Sequence, residues 1–331
     1  MRPIVVLGAG SWGTALAIQF ARGGEPTVLW GRAEDEPEKL ARERVNARYL
    51  PGAPFPPALD IEPDLRNALA LGGDVVLVVP SSVLRAVLSE IRPLLGPKAR
   101  VAWASKGFEL STGKLPHEVA REVLGPDVPI AVLSGPTFAK EVGLGLPTAI
   151  AVASPDPEFA RSLAERISFG GFRAYIQGDI VGVEIGGAVK NVLAIATGCS
   201  DGLGYGSNSR VFLITRGLAE LMRLGVALGA KRETLMGLAG LGDLVLTCTD
   251  DQSRNRRFGR ALAAGKPVAE AIAEIGQVVE GFHAAKAVHE VAAKHGVDMP
   301  ICGYVYDVLH RQVPLKDVVG SMLARTVTPE N

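Results

Sequence analysis

One short run near the start of the chain, Gly8-Ala9-Gly10-Ser11-Trp12-Gly13, constrains what the rest can become. It follows an apolar stretch, Arg2 to Leu7, that reads as a short buried strand. It precedes Thr14 to Arg22, where Ala, Leu, Ile and Phe recur without proline and predict a helix. Strand, Gly-x-Gly-x-x-Gly and helix in direct succession are the setting a dinucleotide fingerprint requires. Gly8 permits the tight turn, Gly10 lets the backbone approach a pyrophosphate, and Gly13 lets the helix pack close to the strand. The N–H groups of the first helical turn and the helix dipole then attract the anion. A tight turn without a ligand is the alternative, and the position directly after the first strand weighs against it.

The chain has 331 residues, 47% of them hydrophobic, which suggests about two domains with ample core. Its 35 basic side chains balance 35 acidic ones, which gives no reason to expect nucleic acid or an anionic membrane surface as partner. Cys199, Cys248 and Cys302 are far apart and form no CxxC or metal-ligand pattern. Free thiols in a reducing cytoplasm are the expectation. The first strand starts so early that no leader peptide is expected. No apolar run is read as approaching the roughly 20 residues of a membrane span, so no membrane insertion is expected either. The histidines have no triad-like or metal-like spacing, and no metal ligand is assigned.

A second strand, Thr27 to Trp30, follows the first helix. In NAD-binding folds an acid usually closes this strand and grips the ribose hydroxyls. Here Gly31-Arg32 closes it, and Glu34 and Asp35 come slightly late. A guanidinium at that point suits the 2′-phosphate of NADP. Residues 33–73 form a polar, proline-rich excursion with one helix expected from Glu36 to Asn46. Further strands are predicted at Asp74–Val79, Arg100–Ala104, Ile130–Leu133, Thr148–Ala153 and Phe172–Gln177. Ser81 and Ser82 are expected to cap a helix through Leu88, and another helix spans Pro155–Ile167. Ligands of open α/β sheets bind at the carboxyl ends of strands. Lys106, after the Arg100 strand, and the Gly135–Thr137 turn, after the Ile130 strand, should therefore converge near the cofactor.

Strand signals fade after Asp179, and long Ala/Leu/Val segments with helical periodicity follow. The expected domains are residues 1–185, α/β with a mostly parallel sheet, and 186–331, all-helical. Within the helical half, Lys190 lies on an apolar helix behind the small residues Gly186, Gly187 and Ala188. A buried lysine there is costly; a surface lysine lying over apolar neighbours is the alternative. Leu238–Thr247 holds one carboxylate, Asp243, in an otherwise apolar stretch; a helix N-cap aspartate is the alternative. Ser253-Arg254-Asn255-Arg256-Arg257 offers donors suited to a phosphate dianion, or else a solvated charge run. Gln277–Gly281 reads as a helix end carrying one acid, Glu280.

The segments GAGSWGTALA, SKGFE, SGPTFAKE, GGAVKN, AGLGDLVLTCTD and QSRNRRFG occur in this order. With that spacing the chain closely resembles bacterial NAD(P)-dependent glycerol-3-phosphate dehydrogenases, from Ile4 to about Gln312. The resemblance implies a cytoplasmic enzyme that interconverts dihydroxyacetone phosphate and sn-glycerol 3-phosphate and supplies phospholipid synthesis. It implies a Rossmann-type N-terminal domain, an all-α C-terminal domain and a homodimer. NADP(H) is the implied cofactor, with NAD(H) left open. By position, Lys190 matches the proton acceptor. Lys106, Gly135, Thr137, Lys190, Asp243, Ser253, Arg254 and Asn255 match the substrate contacts. Ser11, Trp12, Arg32, Tyr49, Lys106, Ala139, Arg254, Val278 and Glu280 match the cofactor contacts, beside the fingerprint glycines Gly8, Gly10 and Gly13. Residues 313–331 stay unassigned.

Two other readings compete at this level. A dehydrogenase for hydroxyacyl or sugar-acid substrates would want a catalytic His or Cys, and none is placed for it. A non-catalytic NADP sensor would not need Lys190 and a phosphate clamp together.

Overall fold

A computed structural model describes residues 2–71 and 73–318. Eight strands make one sheet: β1 Ile4–Leu7, β2 Thr27–Trp30, β3 Leu59–Ile61, β4 Asp74–Leu77, β5 Arg100–Trp103, β6 Ile130–Ser134, β7 Thr148–Ala153 and β8 Phe172–Gln177. Their order is β3-β2-β1-β4-β5-β6-β7-β8, parallel throughout except between β6 and β7. The strand order reverses at β1, so the glycine turn after Leu7 lies at the topological switch point, where such sheets hold ligands.

The apolar continuity of β1 and β4 follows from burial on both faces. Ile4 and Val6 join the core that packs Leu16 and Phe20, while Val5 and Leu7 join the opposite core with Trp103 and Leu88. The period-two alternation of a strand thus feeds two cores at once. β3 went unread because it is three residues long, lies at the sheet edge and exposes Asp60. The helix expected at 36–46 is shorter, Pro37–Glu43, and Arg44 ends it at φ 54°. Ser81 and Ser82 do not cap an α-helix. They open a 3-10 turn, Ser81–Val83, and the α-helix runs from Leu84 to Ile91.

Among the described residues no strand follows Gln177. The helix Ile180–Gly202 corrects one expectation from the sequence. It is long and apolar enough on average to cross a membrane, although Glu184 and Lys190 interrupt the run. Within the protein it is a core helix, with 89% of its apolar window buried.

The chain divides into two compact units: Met1–Ala188 with Gly225–Leu246, and Val189–Leu224 with Thr247–Asn331. In the first, the sheet unit, the chain returns for residues 225–246. A Cβ on Gly186 would lie 2.1 Å from the Ala239 carbonyl oxygen, so only glycine admits that close approach. The second unit is helical. Arg254–Ala263 crosses the Ile180–Gly202 helix at two glycines: a Cβ on Gly198 would meet the Arg256 carbonyl at 2.1 Å, and one on Gly259 the Ile195 carbonyl at 2.2 Å. Asp201, its side chain 7% exposed, locks this crossing, its carboxylate accepting from Arg256 Nη2 at 2.7 Å and from Arg210 Nε at 2.9 Å. Glu220 holds the Pro300–His310 helix by accepting from the backbone N–H of Ile301 at 2.6 Å and Cys302 at 3.1 Å.

Candidate active site

The predicted site residues fall in both units. In the sheet unit, Gly8 adopts φ 120°, and a Cβ there would meet the Val78 carbonyl at 2.4 Å. A Cβ on Gly13 would lie 1.9 Å from the Gly8 carbonyl, whereas one on Gly10 would meet nothing within 4 Å. Gly8 and Gly13 are thus packed against backbone, and Gly10 faces open space. The helix Ser11–Arg22 begins there with no side-chain cap, leaving its first N–H groups for a ligand. The Trp12 indole Nε1 is buried without a partner. Asn46 braces the turn, donating to the Ala9 carbonyl at 2.8 Å and to Thr14 Oγ1 at 2.9 Å. An uncapped helix start, an open glycine and an unpartnered indole N–H fit the pyrophosphate and adjoining groups of a dinucleotide.

Around this turn, Ser11 Oγ donates to the Tyr49 carbonyl at 2.8 Å, and Arg48 stacks over the Tyr49 ring. Arg32 is exposed, with Nε 3.7 Å from Glu34 Oε2. Asp35, late for the ribose, instead accepts from the Arg32 N–H at 3.0 Å. The guanidinium therefore stands in solvent just past β2. Ala139 opens the helix Ala139–Leu144, which Arg22 ties to the first helix by donating to the carbonyls of Val142 and Gly143.

At the carboxyl end of β5, Lys106 Nζ donates to Asp243 Oδ2 at 2.8 Å. Their side chains are only 12% and 1% exposed, so the charges are largely removed from water and held by each other. Asp243 opens the helix Asp243–Thr249 directly after a π-helical turn, Leu238–Gly242. Such turns are rare and often mark functional sites. The Gly135–Thr137 turn follows β6, with Thr137 Oγ1 donating to the Gly135 carbonyl at 3.3 Å.

The sheet unit also buries an acid no sequence signal singled out. Glu184 accepts from Trp103 Nε1 at 3.0 Å and from the His117 N–H at 3.0 Å, and its Oε2 lies 2.6 Å from His117 Nδ1. Burial pulls the His117 pKa down, but the hydrogen bond and charge of Glu184 together outweigh it and raise the imidazole above its ordinary value. Burial raises Glu184 as well, against the bonds from His117 and Trp103.

In the helical unit Lys190 is buried, 7% exposed, and its Nζ donates to Thr247 Oγ1 at 3.1 Å. This excludes the surface-lysine alternative. The next residue, Asn191, was left without a role in the sequence. Its Nδ2 donates to Glu280 Oε2 at 3.0 Å, and its Oδ1 accepts from Asn255 Nδ2 at 2.9 Å. Asn255 Oδ1 in turn accepts from the Gly281 N–H at 2.9 Å. One carboxamide ladder therefore ties the lysine's helix to both Asn255 and Glu280. Ser253 caps Arg254–Ala263, accepting from the Arg256 N–H at 3.2 Å. Its own O–H and half-buried Arg254 remain as donors at that helix start, with Arg254 Nη1 3.3 Å from Gln277 Oε1. Gln277–Gly281 does not end a helix. Gly276, at φ 66°, closes Val268–Ile275, and Glu280 opens Glu280–Lys294, leaving Val278 exposed on the link.

A doubly wound sheet with a dinucleotide cradle, joined to a helical unit whose buried lysine lies on a helix bonded to an Arg/Ser/Asn segment, defines a nicotinamide-dependent oxidoreductase. Sequence models of the N-terminus and C-terminus of NAD-dependent glycerol-3-phosphate dehydrogenase match residues 3–160 and 179–320. The glycerol-3-phosphate dehydrogenase [NAD(P)+] of Glaesserella parasuis is 54% identical over 324 residues, spanning 98% of this chain and 96% of that one. The Aeromonas salmonicida enzyme of the same name is 54% identical over 97% of each chain. The Coxiella burnetii glycerol-3-phosphate dehydrogenase crystal structure superposes with a TM-score of 0.94 at 48% identity, covering 98% of this chain and 99% of that one. The Saccharomyces enzyme does so at 0.84 and 28%, with the same coverage. The chain belongs to the NAD-dependent glycerol-3-phosphate dehydrogenase family.

Proposed function

We propose that this chain interconverts dihydroxyacetone phosphate and sn-glycerol 3-phosphate, in the cytoplasm, as a homodimer, for phospholipid synthesis. The observation that carries the reading is Lys190: a buried ammonium beside Thr247, on a helix whose next residue is bonded to the Ser253–Asn255 turn. A ketone that becomes an alkoxide needs a cation and a proton at its oxygen, and a phosphate needs a separate anchor.

Bound NAD(P)H supplies the hydride to the carbonyl carbon. Lys190 stabilises the negative charge that develops on the carbonyl oxygen and donates its proton there; in the reverse direction the free amine takes the hydroxyl proton. Thr247, by accepting from Nζ, aims the ammonium. Arg254, the Ser253 hydroxyl and Asn255 hold the phosphate, the guanidinium by charge-assisted hydrogen bonds. Lys106, oriented by Asp243, and the Gly135–Thr137 turn contact the substrate. Ser11, Trp12, Tyr49, Ala139, Val278 and Glu280 line the cofactor, and Arg32 takes the 2′-phosphate of NADP(H).

Adding dihydroxyacetone phosphate and NADPH and following absorbance at 340 nm tests the reading. Oxidation of NADPH that depends on this ketone supports it; none with either NADPH or NADH overturns it.

A further inference from the structure

Ser134, the last residue of β6, is 2% exposed, and its Oγ is buried with no hydrogen-bond partner. It directly precedes the Gly135–Thr137 turn. A Cβ on Gly187 would lie 3.3 Å from Ser134 Oγ and 3.2 Å from Lys106 Cγ, so the hydroxyl and the lysine stem share one wall. The glycine at 187 keeps any side chain of its own away from the oxygen. An unpaired buried hydroxyl is costly, and costs of this kind gather where a ligand completes the hydrogen bond. Gly187 and Lys190 are three residues apart on the Ile180–Gly202 helix, a spacing that places them on one face.

We infer that Ser134 receives the primary hydroxyl of the ketose phosphate. The inference rests on the proposed substrate. On that substrate the hydroxymethyl group is bonded to the carbonyl carbon, on the side away from the phosphate. It is small, and like the serine it both donates and accepts. A site that hydrogen-bonds a substrate hydroxyl discriminates against the analogue lacking it, because the protein group is then left unpaired. Ser134 thereby makes the enzyme selective for a hydroxymethyl ketone over a methyl ketone.

The test compares wild type and Ser134→Ala on dihydroxyacetone phosphate and on its 1-deoxy analogue, the phosphate of hydroxyacetone. The variant should lose roughly three- to tenfold in kcat/KM on the first and nothing on the second. The melting temperature of the ligand-free variant should not fall, since no protein hydrogen bond is lost. Equal losses on both ketones with a raised KM for NADPH would assign the hydroxyl to the cofactor and overturn the inference. Unchanged kinetics, or a lowered melting temperature, would overturn it too. A wild-type enzyme inactive on dihydroxyacetone phosphate would instead remove the substrate reading, and the inference with it.

Discussion

At the head of the Ser11–Arg22 helix the groups offered to a ligand are backbone amides, set by Gly8 and Gly13, where a Cβ would collide with backbone, and by Gly10, which faces open space. Around Lys190 in the helical unit they are side chains: an ammonium, a threonine hydroxyl and two carboxamides bonded across four helices. A backbone site is made by packing and is as rigid as the fold. A side-chain site is made by hydrogen bonds between residues far apart in sequence, and single substitutions can dismantle it without unfolding anything. The first arrangement suits a ligand part common to many enzymes, the second the part that decides which reaction is run.

The comparison is tested most severely at Lys190. Lys190→Met keeps the apolar stem and removes the charge. Turnover should fall by about a thousandfold or more, with NADPH binding, followed by its fluorescence, nearly unchanged. If NADPH affinity fell with turnover, the two units would not divide the work in this way. Parallel measurements on Lys106→Met separate the two lysines. Wild-type turnover in Lys190→Met, with the same pH profile, would transfer the proton to Lys106 or water.

Arg254→Ala should lower kcat/KM for the phosphorylated ketone by roughly ten- to hundredfold, as expected for a lost charge-assisted pair. A triose without phosphate should be indifferent to the change. Equal weakening of both would make Arg254 a general surface charge. Smaller still is the effect at Arg32, the exposed side chain beside an otherwise backbone-built cradle. Arg32→Ala should raise the Michaelis constant for NADPH several-fold more than that for NADH. Equal effects would remove the 2′-phosphate role.

The sheet unit has a polar cluster of its own in Glu184, His117 and Trp103, and it predicts a pH effect on stability. The folded state holds the His117 proton more tightly than the unfolded chain does. Its contribution is therefore complete below the unfolded histidine value of about 6.5 and is lost as pH rises through the higher folded value. The melting temperature should decline by a few degrees over that interval, and His117→Gln should flatten the decline. A slope unchanged in the variant would place its origin elsewhere.

The two regions differed in how far the sequence exposed them. β2, β7 and β8 have the limits that their apolar runs predict, and the glycine turn is legible because its spacing is local, although the contact that demands Gly8 comes from distant Val78. The three residues of β3 carry too short a pattern to register. Gln277–Gly281 looked like a helix end because a glycine stop and an acidic helix start lie within five residues of each other. Lys106 and Asp243 were each visible, yet nothing in their neighbourhoods says they pair across 137 residues. Asn191 is the sharpest case. Its partners are 64 and 89 residues away, and local periodicity does not report which amide will meet which. Glu184 was hidden for the same reason, as one acid in an apolar helix whose histidine and tryptophan partners lie on other elements.

The return of residues 225–246 to the sheet unit bears on how these halves could be exchanged between proteins. A fragment cut after Ala188 would carry Lys106 without Asp243, the buried acid to which it donates. It would also strip Ala239 from the apolar cluster that holds Ile180 and Val183. The nucleotide-binding half is therefore not a portable cassette that one cut can release. Recombination that respects its core must move two pieces of coding sequence together, or join them in a permuted chain.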